Sequence, residues 1–383
     1  MTMKMYLMTP GPTPVAPETN LAMAQPIIHH RSPLFMEILG EVRAELKYLF
    51  QTEQEVLIFA ATGTGAMEGA VANTLCAGDT ALVIDGGKFG ERWTELCEVY
   101  GVKVDRIAVE WGRAVDPKVV AQHLDANPKI KAVLVQANET STGVQHPVKE
   151  LADVTKSRPG TILVVDAISA LGGYELPMDE WGIDVLVAGS QKAMMLPPGL
   201  AFAALSPKAW EFVKTSTLPK YYFDFAKQLK SQDKNQTPYT SPVSLILGLK
   251  EVLGKIRQVG LKKIYAHNRR LSAATKAAMQ AMGLKLYARD YPSVVLTAVQ
   301  APEGVDGQKV VSELRKRGIW IAGGQAQAKG KIFRIAHMGF IDTVDLLGTL
   351  GGLEEVLNGL GYKVEPGVGL KAAQEVLSKE AAA

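Results

Sequence analysis

Cysteine is almost missing from this chain. Cys76 and Cys97 are the only two among 383 residues, and they form neither a metal-ligand spacing nor a disulfide framework. A reduced, cytoplasmic protein without a bound metal is the expectation. Long apolar runs are missing too. None is long enough to span a bilayer, and Met1-Thr-Met-Lys-Met-Tyr6 carries no signal-peptide pattern before Pro/Gly turns begin. No membrane partner is therefore expected. Charge of one sign is scarce as well: a net +3 without a long basic run argues against nucleic acid. Internal repeats are absent. What is present is 47% hydrophobic and 21% charged residues, the proportions of a folded globular protein. The length exceeds a single ordinary core, which predicts one large domain and one smaller.

Proline dominates the start. Thr9-Pro-Gly-Pro-Thr-Pro-Val-Ala-Pro17 cannot be helix or inner strand, because each proline removes a donor and fixes φ. It reads as an ordered arm over residues 1–20. From Ser32, Leu34, Ile38, Val42, Leu46 and Leu49 recur at helical spacing. Strand and helix signals then alternate, with strands at 56–60, 81–84, 104–109, 132–136, 162–166, 185–188 and 201–205. Helices are expected at 65–75, 91–100 and from Asp116-Pro117, an N-cap followed by proline. Such alternation predicts an α/β domain with a mainly parallel seven-stranded sheet flanked by helices, over residues 21–259. Residues 227–241 are polar and read as exposed or covered by a partner chain. Long helices follow near 243–258 and 261–282, and strands near 293–299 and 331–336 with helices near 307–317 and 343–359 predict a small α+β domain over 260–383.

Ligands of parallel sheets bind outside the carboxyl ends of the strands, and the loops there carry the chemistry. Lys192 follows the apolar run Asp184–Ala188 within Gly189-Ser-Gln-Lys192. Such a lysine either snorkels outward or is kept as a Schiff base or an amine of lowered pKa. Ala61-Thr62-Gly63-Thr64-Gly65-Ala66 lies between a strand and a helix, where free N–H groups and hydroxyls suit an anion, although a plain turn has the same composition. Glu68 occupies the place of the third glycine of a dinucleotide fingerprint, and no Gly-Lys-Ser/Thr follows for a P-loop. Asp166 ends an apolar strand, as an N-cap or as a carboxylate that keeps a ring nitrogen protonated. Asn138-Glu-Thr-Ser-Thr-Gly143 offers hydroxyls, including Thr140, to a ligand or to a turn. Gly86-Gly-Lys-Phe-Gly90 offers Phe89 to a planar ring or to packing. Arg334, inside an apolar strand, is either in an ion pair or a carboxylate clamp.

In this order the pieces resemble the fold-type I, class V aminotransferases that use pyridoxal 5'-phosphate, particularly their alanine–glyoxylate and serine–glyoxylate branch. The most specific are Val165-Asp-Ala-Ile-Ser-Ala-Leu-Gly-Gly173, Gly189-Ser-Gln-Lys-Ala193 and Pro197-Pro-Gly199. The resemblance runs from Thr9-Pro-Gly-Pro12 through the helix after Arg334. It implies that Lys192 forms a Schiff base with the cofactor and then shuttles a proton, while Asp166 pairs with the ring nitrogen. Thr62, Gly63, Thr64 and Gln191 would hold the phosphate, with Thr240 supplied by the partner in a homodimer that shares its active sites. Phe89 would stack on the ring, where the branch often has tryptophan, and Thr140 would lie beside it. Arg334 would bind the substrate carboxylate, with Pro10 and Gly11 lining the substrate site. His29 and His30 stand near the expected entrance or form a polar pair before a helix. Arg31 is a possible second clamp.

The reaction so implied moves an amino group from a small amino acid, alanine or serine, to a 2-oxo acid such as glyoxylate or pyruvate. An aspartate-type aminotransferase is the alternative within the class. Cysteine desulfurase or selenocysteine lyase chemistry needs a late cysteine nucleophile, and no cysteine follows Cys97. A non-catalytic subunit of a larger complex is the reading from another class, since related chains carry a soluble-hydrogenase label. Two cysteines cannot hold a four-thiolate cluster.

Overall fold

The computed structural model describes residues 4–379, so Met1 to Met3 of the expected arm and residues 380–383 of the expected small domain lie outside it. A seven-stranded sheet forms its centre, in the order Val56–Ala61, Gly199–Leu205, Val185–Gly189, Ile162–Asp166, Ile130–Gln136, Thr80–Asp85 and Lys103–Ala108. Gly199–Leu205 runs antiparallel to both neighbours, and the other pairings are parallel. The expected mainly parallel seven-stranded sheet is therefore present.

Strand periodicity builds two core layers from this sheet. In Ile162–Asp166, Leu163 and Val165 enter one cluster, which includes Phe35, Leu39, Val42 and Leu46 of the helix Pro33–Phe50. Ile162 and Val164 enter the opposite cluster, against Ala66, Met67 and Ala70 of the helix Gly63–Thr74. The Pro33 helix starts where the sequence signals it: Ser32 Oγ accepts from Phe35 N and Pro33 takes the first helical position. A third cluster, including Leu271, Phe333, Ile335 and Leu350, packs beneath the three-stranded sheet of Leu296–Gln300, Ile332–Ala336 and Ala322–Gly323. The helix Leu261–Ala281 contributes to both the first and the third cluster, through Tyr265 and Leu271.

Five local expectations change. The helix expected at 65–75 begins at Gly63, and the one expected near Glu91 begins at Lys88, so Phe89 stands in a first helical turn rather than on a loop. The arm contains a short strand, Tyr6–Leu7, paired parallel to Ile319–Trp320, and a helix, Pro17–Met23, begins within it. A final helix, Val368–Lys379, had no counterpart in the sequence reading. The polar stretch 227–241 is not simply exposed. Its first part belongs to the helix Phe225–Gln232, and Gln228 and Gln232 are buried. Gln232 closes the edge of the main sheet: its Oε1 accepts from Ile58 N at 2.8 Å and its Nε2 donates to Val56 O at 2.9 Å. A side-chain amide, which can present a donor and an acceptor side by side as a peptide does, continues the ladder where no strand follows.

Gln232→Ala therefore leaves a buried N–H and a buried C=O without partners. The expected cost is about 2–4 kcal/mol of unfolding free energy, read from urea unfolding.

Candidate active site

The carboxyl ends of adjacent strands Ile162–Asp166 and Val185–Gly189 bring Asp166 and Lys192 to one cleft. The cleft has a cavity volume of about 80 Å³. Asp166 is buried, and one of its oxygens accepts from Ile168 N at 2.8 Å. Burial raises its carboxyl to about 7, against the pull of that bond, and the nearby charge of Glu139 adds to the rise. Lys192 follows a tightly fastened turn in which Ser190 Oγ donates to Pro197 O and Met195 N donates to Lys192 O. Its ammonium donates to Pro10 O. Burial lowers its pKa to about 8, with the Asp166 charge opposing.

The arm packs directly on this turn. Thr13 Oγ1 donates to Lys192 O at 2.7 Å, and Thr13 N donates to Gln191 O at 3.2 Å. Gly11, at φ +114°, approaches so closely that a Cβ there would overlap the Lys192 side chain. Pro10 and Gly11 are thus brought to Lys192.

Thr62, Gly63 and Thr64 line the same cleft, and no side chain caps the helix that starts at Gly63. Gln191 Oε1 and Asn138 Oδ1, on two cleft-lining residues, are buried without partners. Thr140 Oγ1 lies 2.7 Å from Ser169 Oγ, which accepts from Asn138 Nδ2 at 2.9 Å. An uncapped helix start, unmet polar atoms, a buried carboxyl and an amine suit a planar, phosphorylated, aldehyde-bearing heterocycle.

Phe89 faces the same cleft from the first turn of the helix Lys88–Val99. That turn is anchored by Glu139, whose Oε2 accepts from Phe89 N and Gly90 N, both at 3.1 Å, and from Gln136 Nε2 at 3.0 Å. Its Oε1 accepts from Ser141 N and Oγ. Burial pushes the Glu139 carboxyl up while these donors favour the charged form.

Arg334 is buried in the strand Ile332–Ala336 and makes no ion pair among the described residues. Its Nη1 donates to Thr140 O at 2.8 Å, and its Nε and Nη2 donate to Gly323 O at 3.0 and 2.7 Å. The guanidinium thus spans from the small sheet to the Thr140 loop. Thr240 lines another crevice, with Tyr222, Pro238 and Tyr239, and does not join the Lys192 cleft within this chain. Arg31 donates to Gln236 Oε1 at 3.0 Å, and neither it nor His29 nor His30 lines the cleft.

Asn138, Glu139, Ser169 and Arg92 are among the lining or anchoring residues that local sequence pattern does not mark as site residues. Asn138 and Glu139 lie inside the quoted hydroxyl loop, and Ser169 lies inside the quoted Asp166 segment. Arg92 stands three residues beyond Phe89, on the same helical face, a spacing legible only once the helix is known to start at Lys88.

The family profile described as Aminotransferase class-V matches residues 18–341. A soluble hydrogenase small subunit from Synechococcus is 46% identical over 98% of this chain and 99% of its own length. An L-aspartate–glyoxylate aminotransferase from Paracoccus denitrificans is 37% identical over 98% of this chain and 96% of its own. The crystal structure of a ureidoglycine–glyoxylate aminotransferase from Bacillus subtilis superposes with a TM-score of 0.93, at 30% identity, over 99% of both chains.

The raised Asp166 pKa makes a prediction for the cofactor-free protein. A carboxyl at about 7 when folded, against 3.8 otherwise, stabilises the fold below about pH 4 and loses that contribution as pH rises through 7. Buried His146 and His337, lowered to about 4 and about 3, act in the opposite sense over part of that window, so wild type is compared with Asp166→Asn. The stability of wild type relative to the variant should fall from pH 5 to pH 8 by on the order of 2 kcal/mol. Denaturant unfolding at the two pH values measures it, and a constant difference contradicts it.

Proposed function

This chain belongs to the class-V aminotransferase family, and from that premise we propose that it transfers the amino group of alanine or serine to glyoxylate or pyruvate. Enzymes of this family are pyridoxal-phosphate-dependent transaminases acting between amino acids and 2-oxo acids. The observation that carries the reading is the shared cleft of Lys192, Asp166 and the uncapped helix start at Thr62–Thr64. When bound, pyridoxal phosphate supplies a heterocycle that accepts the electron pair left by a broken Cα–H bond.

The chain's own residues do the rest. Thr62, Gly63, Thr64 and Gln191 hold the phosphate, and Phe89 and Thr140 hold the ring in place. Asp166 would face the ring nitrogen and hold a proton there. Lys192 would be the residue that tethers the cofactor, and its free amine would take the substrate's Cα proton. An ammonium lowered to about 8 supplies a neutral amine near neutral pH. Arg334 binds the substrate carboxylate by exchanging its carbonyl partners, and Pro10 and Gly11 close the substrate side. Thr240 reaches the phosphate from the partner chain of a cytoplasmic homodimer. The arm spans 1–20, the cofactor domain 21–259 and the small domain 260–383, with no role for membrane or nucleic acid.

Glyoxylate in the names of both the Paracoccus and the Bacillus relatives supports that acceptor. The Paracoccus name also makes aspartate the alternative donor. A subunit role in a larger complex is the alternative that the Synechococcus name brings. The presence of Lys192, Asp166 and Arg334 together supports catalysis instead.

Two measurements test this. Purified protein supplied with pyridoxal phosphate should show a visible band that bleaches on titration with alanine or serine. Bleaching with aspartate alone favours the alternative donor, and no band at all contradicts the site reading. Lys192→Ala should lower steady-state alanine–glyoxylate transamination by about 10²–10⁴-fold or more while keeping the native circular dichroism.

A further inference from the structure

Arg92 has no part in the roles assigned above, yet it lines the same cleft as Lys192. It is half-buried, and no carboxylate pairs with it among the described residues. Its Nη1 donates to Thr64 Oγ1 at 3.2 Å, and its guanidinium carbon stands 4.9 Å from the centroid of the Phe89 ring. A cation so placed, held by a neutral hydroxyl and an aromatic face, feels the Asp166 carboxyl across the cleft but has no carboxylate in direct contact to match its partial burial. The other cation of the cleft wall, Lys192, turns its ammonium toward Pro10 O. Positive charge near Thr62–Thr64 therefore comes from Arg92 together with the helix start.

We propose that Arg92 makes the cleft selective for a phosphate monoester, setting the preference for the phosphorylated over the unphosphorylated form of the cofactor. It acts in two ways. Its charge neutralises part of the dianion, and its donation to Thr64 Oγ1 satisfies that oxygen as an acceptor. The single Thr64 hydroxyl proton is then left to donate to the anion. The Phe89 ring face fixes the guanidinium plane, so the residue that faces the cofactor ring also positions the charge at its phosphate end. This inference rests on the cofactor reading and names the charged group within it.

The test compares cofactor-free wild type, Arg92→Met and Arg92→Lys. Each is titrated spectrally with pyridoxal phosphate and with pyridoxal, and by calorimetry with inorganic phosphate. Arg92→Met keeps an unbranched stem against Phe89 and removes the charge. It should weaken pyridoxal phosphate and inorganic phosphate binding roughly tenfold or more, while leaving pyridoxal within about twofold. Arg92→Lys keeps the charge without the fork and should fall between. The proposal is overturned if both variants keep the wild-type preference for the phosphorylated form, or if both forms weaken equally. A wild type that binds inorganic phosphate through Arg92 but neither form of the cofactor would overturn the cofactor reading and leave the phosphate site standing. Binding of none of the three overturns both.

Discussion

Burial of an acid and a base at the ends of two hydrogen-bonded strands is the constraint on which the site depends. Water would leave Asp166 and Lys192 charged and unremarkable. In the cleft, burial pushes the carboxyl up and the amine down, toward values that lie near each other and near neutrality. Their mutual attraction opposes both shifts without making an ion pair among the described residues. The arrangement is kept by the sheet beneath. Ile162–Asp166 and Val185–Gly189 are buried along their whole lengths between two apolar layers, which leaves the strand ends no freedom to relax toward solvent.

Around this pair the structure spends its polar groups on holding backbone in place. Glu139 is the clearest case, because one buried carboxylate gathers donors from the Lys88 helix, from Gln136 and from Ser141. It thereby joins two strand-end loops and sets the direction of Phe89. Thr13, Gly11 and Pro10 do the same for the Lys192 turn from the arm side. Arg334 links the small sheet to the Thr140 loop through two carbonyls. In each case a charged or polar side chain reaches across a long stretch of sequence to a main-chain atom. That is why no local pattern announces it.

Much was legible from local pattern because the relevant physics is local. Alternating apolar runs and helical spacing determined the seven strands and the helix from Pro33, with Ser32 and Pro33 marking its start. Strand-terminal Asp166 and post-strand Lys192 were visible because polar residues directly after buried runs are costly without a purpose. The Val165–Gly173 and Gly189–Ala193 segments carried the family. Less legible were helix starts at glycine-rich turns: Gly63 begins a helix with no side-chain cap, and the Lys88 helix is capped by Ser141 and Glu139, about fifty residues away in sequence. The polar stretch 227–241 misled for the same kind of reason. Polar composition suggests exposure, but Gln232 is buried because its amide completes the hydrogen bonding of an edge strand far away in sequence.

Sequence alone determined which groups are available: one amine, one carboxyl, hydroxyl-bearing loops, a late arginine, and too few thiols for thiolate chemistry. Tertiary structure decided what each faces. It turned Arg334 toward carbonyls rather than a carboxylate, put Thr240 in a different crevice from Lys192, and brought Arg92 beside Thr64 and Phe89. The reason is range. Hydrophobic periodicity and turn chemistry act over a few residues, whereas desolvation and charge act through space between segments that only the folded sheet brings together.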